Sequence, residues 1–178
     1  IQGMRKAGVE VDQKLQSIGL RADALDPSSI IHPCLEWNVL SVIGQDVAPE
    51  TGLFIGQHYA LAGYGPLLML LVTSKDIRTA LELGVQYQAL THLTGGLSLK
   101  YTEHKVALCY EPQDLNSDVG LLRAQCEISG TYKFIQDIYT MMGLQMPAMR
   151  IELPFEKPTD SDTLSRYFAY YGDDVHFN

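Results

Sequence analysis

Apolar and polar positions change rhythm several times along this chain. Up to about Leu93 the apolar residues recur every three or four positions, as on amphipathic helices. Gly8 ends a first short helical piece; Val11, Leu15 and Ile18 mark a second, and Gly19 stops it. Turn chemistry follows at Asp26-Pro27-Ser28-Ser29. Ile30-Ile31 then leads to Pro33, a good first-turn residue for a helix running to about Asp46 with Trp37, Leu40 and Ile43 on one stripe. Glu50 suits the start of the next helix, which the pattern carries through GLFIGQHYALAGYG and loosens at Gly63 to Gly65. Pro66 opens an apolar helix over 66–73 whose core, Leu67 to Val72, is six apolar residues in a row. Ser74 is the expected N-cap of the following helix, with Asp76 in its first turn. Ile77, Ala80, Leu81, Gly84, Tyr87, Gln88 and Thr91 share one face of that helix. Gly84 costs about 1 kcal/mol against alanine, and a close helix–helix approach would explain it.

After Gly95-Gly96 the period falls to two. Leu97, Leu99 and Tyr101, then Val106, Leu108 and Tyr110, predict a β-hairpin with one buried face. A long helix is predicted from Asp118 to Met142, striped by Leu121, Leu122, Gln125, Ile128, Ser129, Tyr132, Ile135, Tyr139 and Met142, and ended by Gly143. A strand at Met149, Ile151 and Leu153, a helix from Ser161 to Gly172 and a strand at Val175 and Phe177 complete the chain. The predicted fold is therefore α+β: one domain over 1–178, a helical half over about 1–95, then β-β-α-β-α-β over about 96–178 with a small, mostly antiparallel four-stranded sheet. The 52–96 stretch reads as the hydrophobic frame between the halves.

Composition narrows the picture. With 178 residues the chain is long enough for one core. Its longest apolar run is far below the roughly 18 residues a membrane span needs, so no membrane partner is expected. No signal peptide is visible at IQGMRKAGVEVDQ, and the absence of an initial Met leads us to expect that the native start lies elsewhere. A formal net charge of −8, with scattered basic residues, argues against nucleic-acid binding by this chain alone. Cys34, Cys109 and Cys126 are far apart and odd in number; they read as buried free thiols in a reducing cytoplasm.

Catalytic signatures are missing from the sequence: no nucleophile elbow, no P-loop, no dinucleotide fingerprint, no zinc-type Cys or His pairing. Pairing Cys109 with His92, or ligating haem through His92 or His58, has no motif behind it, and no metal or cofactor is expected. The tyrosines are more informative. Tyr59, Tyr64, Tyr87, Tyr101, Tyr132 and Tyr139 fall on or beside predicted inner faces, either as core packing or as the lining of an apolar cavity with a few polar handles. Gln88, Gln125 and His92 on inner faces favour the second reading. The candidate ligand contacts are His58, Tyr59, Gln88, His92, Tyr101, Gln125, Tyr132 and Tyr139. Tyr167, Tyr170 and Tyr171 are expected to pack the last helix against the sheet.

Taken in order, the segments AGVEVDQKLQSIGL, GLFIGQHY, GYGPLLMLLVTS, RTALELGVQYQ and MRIELPFEKPTDSDTLSRYFAYYGDDVHFN resemble the N-terminal regulatory domain of AraC-type transcriptional regulators, in the branch labelled arabinose-binding. The resemblance covers nearly the whole chain. It implies a bacterial, effector-sensing and dimerising domain, and a C-terminal pair of helix-turn-helix motifs, absent here, that would bind DNA. Gly52, Gly56, Gly65, Ala80 and Leu81 carry over as fold determinants, not ligand contacts. Mainly apolar inner faces favour a partly hydrophobic acid or lipid-like effector over a sugar, settling between the helical half and the sheet. The alternatives are a ligand-independent dimerisation module and, behind it, a small enzyme.

Overall fold

The computed structural model describes residues 1–21 and 32–178; the turn read at 26–29 and the approach at 30–31 lie outside the described residues. The architecture is α+β. Eight helices and four strands are described: α1 (Gln2–Lys6), α2 (Val11–Gln16), α3 (Pro33–Ile43), α4 (Thr51–Gly56), α5 (Gly65–Val72), α6 (Ile77–Gln86), β1 (Gly96–Tyr101), β2 (Val106–Glu111), α7 (Asp118–Met141), β3 (Ile151–Leu153), α8 (Ser161–Tyr171) and β4 (Val175–Phe177). Two compact units divide the chain, Ile1–Ile138 and Tyr139–Asn178.

The strands do not join in one four-stranded sheet. β1 and β2 form an antiparallel hairpin with Leu97 opposite Tyr110 and Leu99 opposite Leu108. β3 and β4 pair in parallel, Ile151 opposite Val175 and Leu153 opposite Phe177. The reason is topological. A polar turn brings β2 straight back along β1, whereas α8 lies between β3 and β4 and returns the chain in the same direction. On the hairpin Leu97, Leu99, Leu108 and Tyr110 are half-buried, while Tyr101 and Val106 at its turn end are exposed.

In the larger unit the core is built by Met4, Val11, Leu15, Leu40, Ile43, Ile55, Leu122 and Cys126, from α1, α2, α3, α4 and α7. The 52–96 stretch contributes less than its pattern promised. α4, Tyr64, Leu67 and Leu71 supply buried residues, but α6 has none. Nor does a close approach explain Gly84. A Cβ built there would meet only Leu71 Cδ2 at 3.7 Å, an ordinary contact.

Several helix boundaries differ from the pattern. α3 ends at Ile43 instead of about Asp46, and α6 ends at Gln86, so that Tyr87, Gln88 and Thr91 leave its face and Gln88–Leu90 forms a 3₁₀ turn. α4 stops at Gly56 because its end tightens into i→i−3 bonds, His58 N to Ile55 O and Tyr59 N to Gly56 O, each 3.0 Å. A 3₁₀ turn, Leu61–Tyr64, then leads into α5 through Gly65 at φ +51°. α6 is capped by Asp76, not Ser74. Asp76 has extended backbone and accepts from Thr79 N at 2.7 Å, while Ser74 Oγ turns back to donate to Leu70 O.

α4 and α7 cross at backbone contact. A Cβ at Gly56 would collide with Ser129 Oγ, Cys126 O and Gly130 N, and one at Gly52 with Leu122 O and Gln125 Cβ. Ser129, fully buried, seals the crossing by donating to Gln125 O at 2.7 Å and lying 3.1 Å from Gly52 O. In the smaller unit Leu153, Phe155, Tyr167, Tyr171 and Val175 are buried. Asp160 caps α8 by accepting from Thr163 N at 2.7 Å, and the Tyr167 ring meets Phe177 edge-on at 5.3 Å. This is the packing expected of the last helix.

Candidate functional site

The polar centre of the larger unit is Glu127, wholly buried on α7. Residues 124–127 of α7 are all buried, so this carboxylate lies in the interior and must be satisfied there. Its Oε1 accepts from Thr94 N at 2.8 Å, Thr94 Oγ1 at 2.9 Å and Arg123 Nε at 2.6 Å. Its Oε2 accepts from Gly95 N at 3.3 Å and from the Tyr110 hydroxyl of β2. Arg123, one turn earlier on α7, also donates to His92 O at 2.6 Å and pairs with Glu36 of α3 at 2.9 Å. Burial opposes the guanidinium charge, but Tyr59 and the Glu127 and Glu36 carboxylates together outweigh it, and its pKa lies above the ordinary value. One ion pair and its neighbours thus tie α3, the 92–95 loop, β2 and α7 together.

Against this hub lies an aromatic cluster. Arg123 holds the His92 carbonyl, and the His92 ring is met edge-on by Tyr59 at 4.7 Å and obliquely by Tyr64 at 5.0 Å. Tyr64 in turn lies 4.0 Å from Phe134 of α7, centroid to centroid. Gly130 makes room for Tyr59, whose ring occupies the space a Cβ there would take. Tyr59 is also hydrogen-bonded to the Cys126 sulfur, and burial pushes that thiol up to about 12. The Tyr59 and Tyr64 hydroxyls are likewise raised by burial. Burial first, and the Arg123 charge second, lower His92 from 6.5 to about 4, so its ring is neutral at neutral pH.

Two atoms of this cluster stand out. Tyr64 Oη and His92 Nε2 are buried and have no hydrogen-bond partner among the described residues. An unmet buried polar group costs about 1–3 kcal/mol. Native interiors carry few such groups, and an unfilled partner position is one of the explanations for them.

Of the eight residues singled out from sequence, the structure brings Tyr59 and His92 together in this cluster. Gln125 is buried but sits at the helix crossing, its Cβ against Gly52. Gln88 braces the chain: its amide donates to Val85 O and Leu97 O and accepts from Leu97 N at 2.6 Å, fixing where β1 begins. His58 folds back on α4, its Nδ1 2.9 Å from Phe54 O. Tyr101 is exposed, donating to Glu82 at 2.9 Å with Arg78 over its ring. Tyr132 is hydrogen-bonded along α7 to Gln136. Tyr139 belongs to the smaller unit. The pairing considered between Cys109 and His92 finds no support: Cys109 Sγ lies 4.0 Å from Ala107 O on the hairpin. Nor are all three cysteines buried as expected; Cys34 is exposed at the start of α3 and Cys109 is half-buried.

Sequence reasoning missed Glu127, Arg123, Tyr110, Thr94 and Phe134, and left Tyr64 outside its final set. An Arg and a Glu at i and i+4 on a helix normally read as a surface pair. Only the neighbouring small residues, Ala124, Ser129 and Gly130, signalled that α7 is enclosed there.

Residues 8–178 match the model of the family described as the arabinose-binding domain of AraC transcription regulators, N-terminal. The curated proteins contain no significant match to the chain.

Proposed function

The chain belongs to the family of arabinose-binding N-terminal domains of AraC transcription regulators; from that premise we propose that it senses a small organic effector at the Tyr59–Tyr64–His92–Phe134 cluster and thereby controls DNA binding by a helix-turn-helix domain outside this sequence. The family is one of regulatory ligand-binding domains, not of enzymes, and the match spans nearly the whole chain. What supports the location is the pair of unpartnered atoms, Tyr64 Oη and His92 Nε2, on rings that touch each other. Ligand sites combine apolar and aromatic walls with a few oriented polar groups, and this cluster has that chemistry. The sugar in the family's description is not carried over: two free polar atoms beside aromatic rings suit a partly hydrophobic molecule better than a polyol. His58, Gln88, Tyr101, Gln125, Tyr132 and Tyr139 remain proposals of lower rank, since their polar atoms serve other contacts or lie elsewhere.

The test is a thermal-shift screen of the chain against a panel of small metabolites, repeated with Tyr64→Phe and His92→Phe. At least one compound should raise the melting temperature, and both variants should blunt that rise. A panel without a single stabilising member, or stabilisation indifferent to both substitutions, overturns the reading.

A second reading, a homodimerisation role, draws on Met69 and Leu90, 62% and 61% exposed. Sedimentation of the chain without added compounds distinguishes it: a dimer supports it, and a monomer at high concentration counts against it.

A further inference from the structure

The charge pattern around the cluster narrows the class of effector, on the assumption that the site proposed above is the effector site. Arg123 holds the His92 carbonyl and acts on the His92 ring, and it is consumed. It donates to Glu127 at 2.6 Å, pairs with Glu36 at 2.9 Å and caps the His92 carbonyl at 2.6 Å. Lys133, next to Phe134 on α7, is held by Asp137 one turn on. The carboxylates of Glu127 and Asp137 both act on the Tyr64 hydroxyl. Two side-chain cations therefore stand against three carboxylates, Glu36, Glu127 and Asp137, and every one of these five groups already has a partner of opposite sign. An anion brought to Tyr64 and His92 would meet a surplus of negative charge and no uncommitted cation among these groups. Its desolvation would go uncompensated.

The unpartnered atoms ask for something else. Tyr64 Oη offers a proton or accepts one, and a neutral imidazole nitrogen does either according to its tautomer. A hydroxyl or carbonyl group satisfies both without introducing charge. The Tyr59, Tyr64 and Phe134 rings supply the apolar remainder.

We propose that the site takes an uncharged effector, anchored by a hydroxyl or carbonyl group at Tyr64 Oη or His92 Nε2 with an aromatic or alicyclic body against the neighbouring rings, and that it discriminates against carboxylates and phosphates. This keeps the apolar part of the sequence-based expectation, a partly hydrophobic acid or lipid-like effector, and departs from the acid.

Matched probes test it. Benzyl alcohol, 4-ethylphenol and acetophenone are titrated into the 178-residue chain beside benzoate and 4-ethylbenzoate, at neutral pH where the acids are ionised. Binding is followed by ligand-observed NMR, and the His92 ring nitrogens by long-range proton–nitrogen spectra. The uncharged probes should bind about tenfold or more tighter than the acids. They should move the His92 Nε2 resonance, and they should weaken about fivefold or more in Tyr64→Phe. Acids that bind as tightly as the uncharged probes, with the same loss in Tyr64→Phe, overturn the discrimination and leave the site in place. Binding that neither moves His92 nor responds to Tyr64→Phe overturns the site itself, as does absence of binding by every probe. Should Tyr64→Phe fail to fold, the His92 nitrogen shift and the alcohol-against-acid ratio decide the matter in the unmodified chain.

Discussion

Tyr64 and Glu127 sit in neighbouring parts of one buried cluster, yet their truncation should have opposite consequences. The Tyr64 hydroxyl has no hydrogen-bond partner to lose among the described residues. Tyr64→Phe should therefore leave urea stability unchanged or raise it by up to about 1 kcal/mol, while removing a ligand anchor. Glu127 accepts five hydrogen bonds and balances Arg123, which is 12% exposed. Glu127→Leu should cost about 3–5 kcal/mol in the same assay, because it strands a buried cation and several donors. His92 adds a pH dependence. Its folded pKa, about 4, lies below the ordinary 6.5, so the unfolded chain binds the proton more readily. Its contribution is complete above about pH 6.5 and lost as pH falls toward 4, on the order of 3 kcal/mol across that window. His92→Phe should flatten the acid limb of a stability–pH curve; an unchanged limb would assign the loss to other groups. At this scale the sequence was least readable. His92 and Tyr59 were legible because aromatic and imidazole groups on an apolar face are unusual, whereas Glu127 in an acidic chain resembled any solvated carboxylate.

Elements were far more legible, since each is dictated by local spacing. α7 was expected from Asp118 to Met142 and runs Asp118–Met141; β1 and β2 were expected from their alternation. What failed were boundaries that spacing does not record: the Asp76 side chain capping the start of α6, and backbone i→i−3 bonds tightening the end of α4. Two glycines show how much context a repeat of spacing conceals. Gly56 and Gly84 both interrupt helical stretches, but one faces α7 backbone and the other has room. Gly56→Ala should destabilise the larger unit by about 2 kcal/mol or more, through a clash the crossing cannot absorb. Gly84→Ala should stabilise it by up to about 1 kcal/mol, because helix propensity improves with no collision. Chemical denaturation of the pair measures the contrast directly; a loss at both positions would mean that α6 is more confined than its contacts imply.

For the whole molecule, α+β content followed from element order, but strand partnership did not. Nothing local in Ile151–Leu153 records that it will pair with Val175–Phe177 in parallel rather than join the hairpin. Charge operates at this scale too. At −8 the chain should not retain DNA at moderate salt. Extension by a DNA-binding half of about 100 residues, a typical domain size, should confer salt-sensitive retention in a mobility-shift assay. The Arg123–Glu127 pair has one more consequence, for how such chains can vary. Because each charge is tolerable only beside the other, a path that changes one residue at a time crosses a poorly folded intermediate. A joint change to two apolar side chains need not. Related sequences should therefore keep both charges or lose both, so positions 123 and 127 should covary, with Glu36 drifting more freely at the rim.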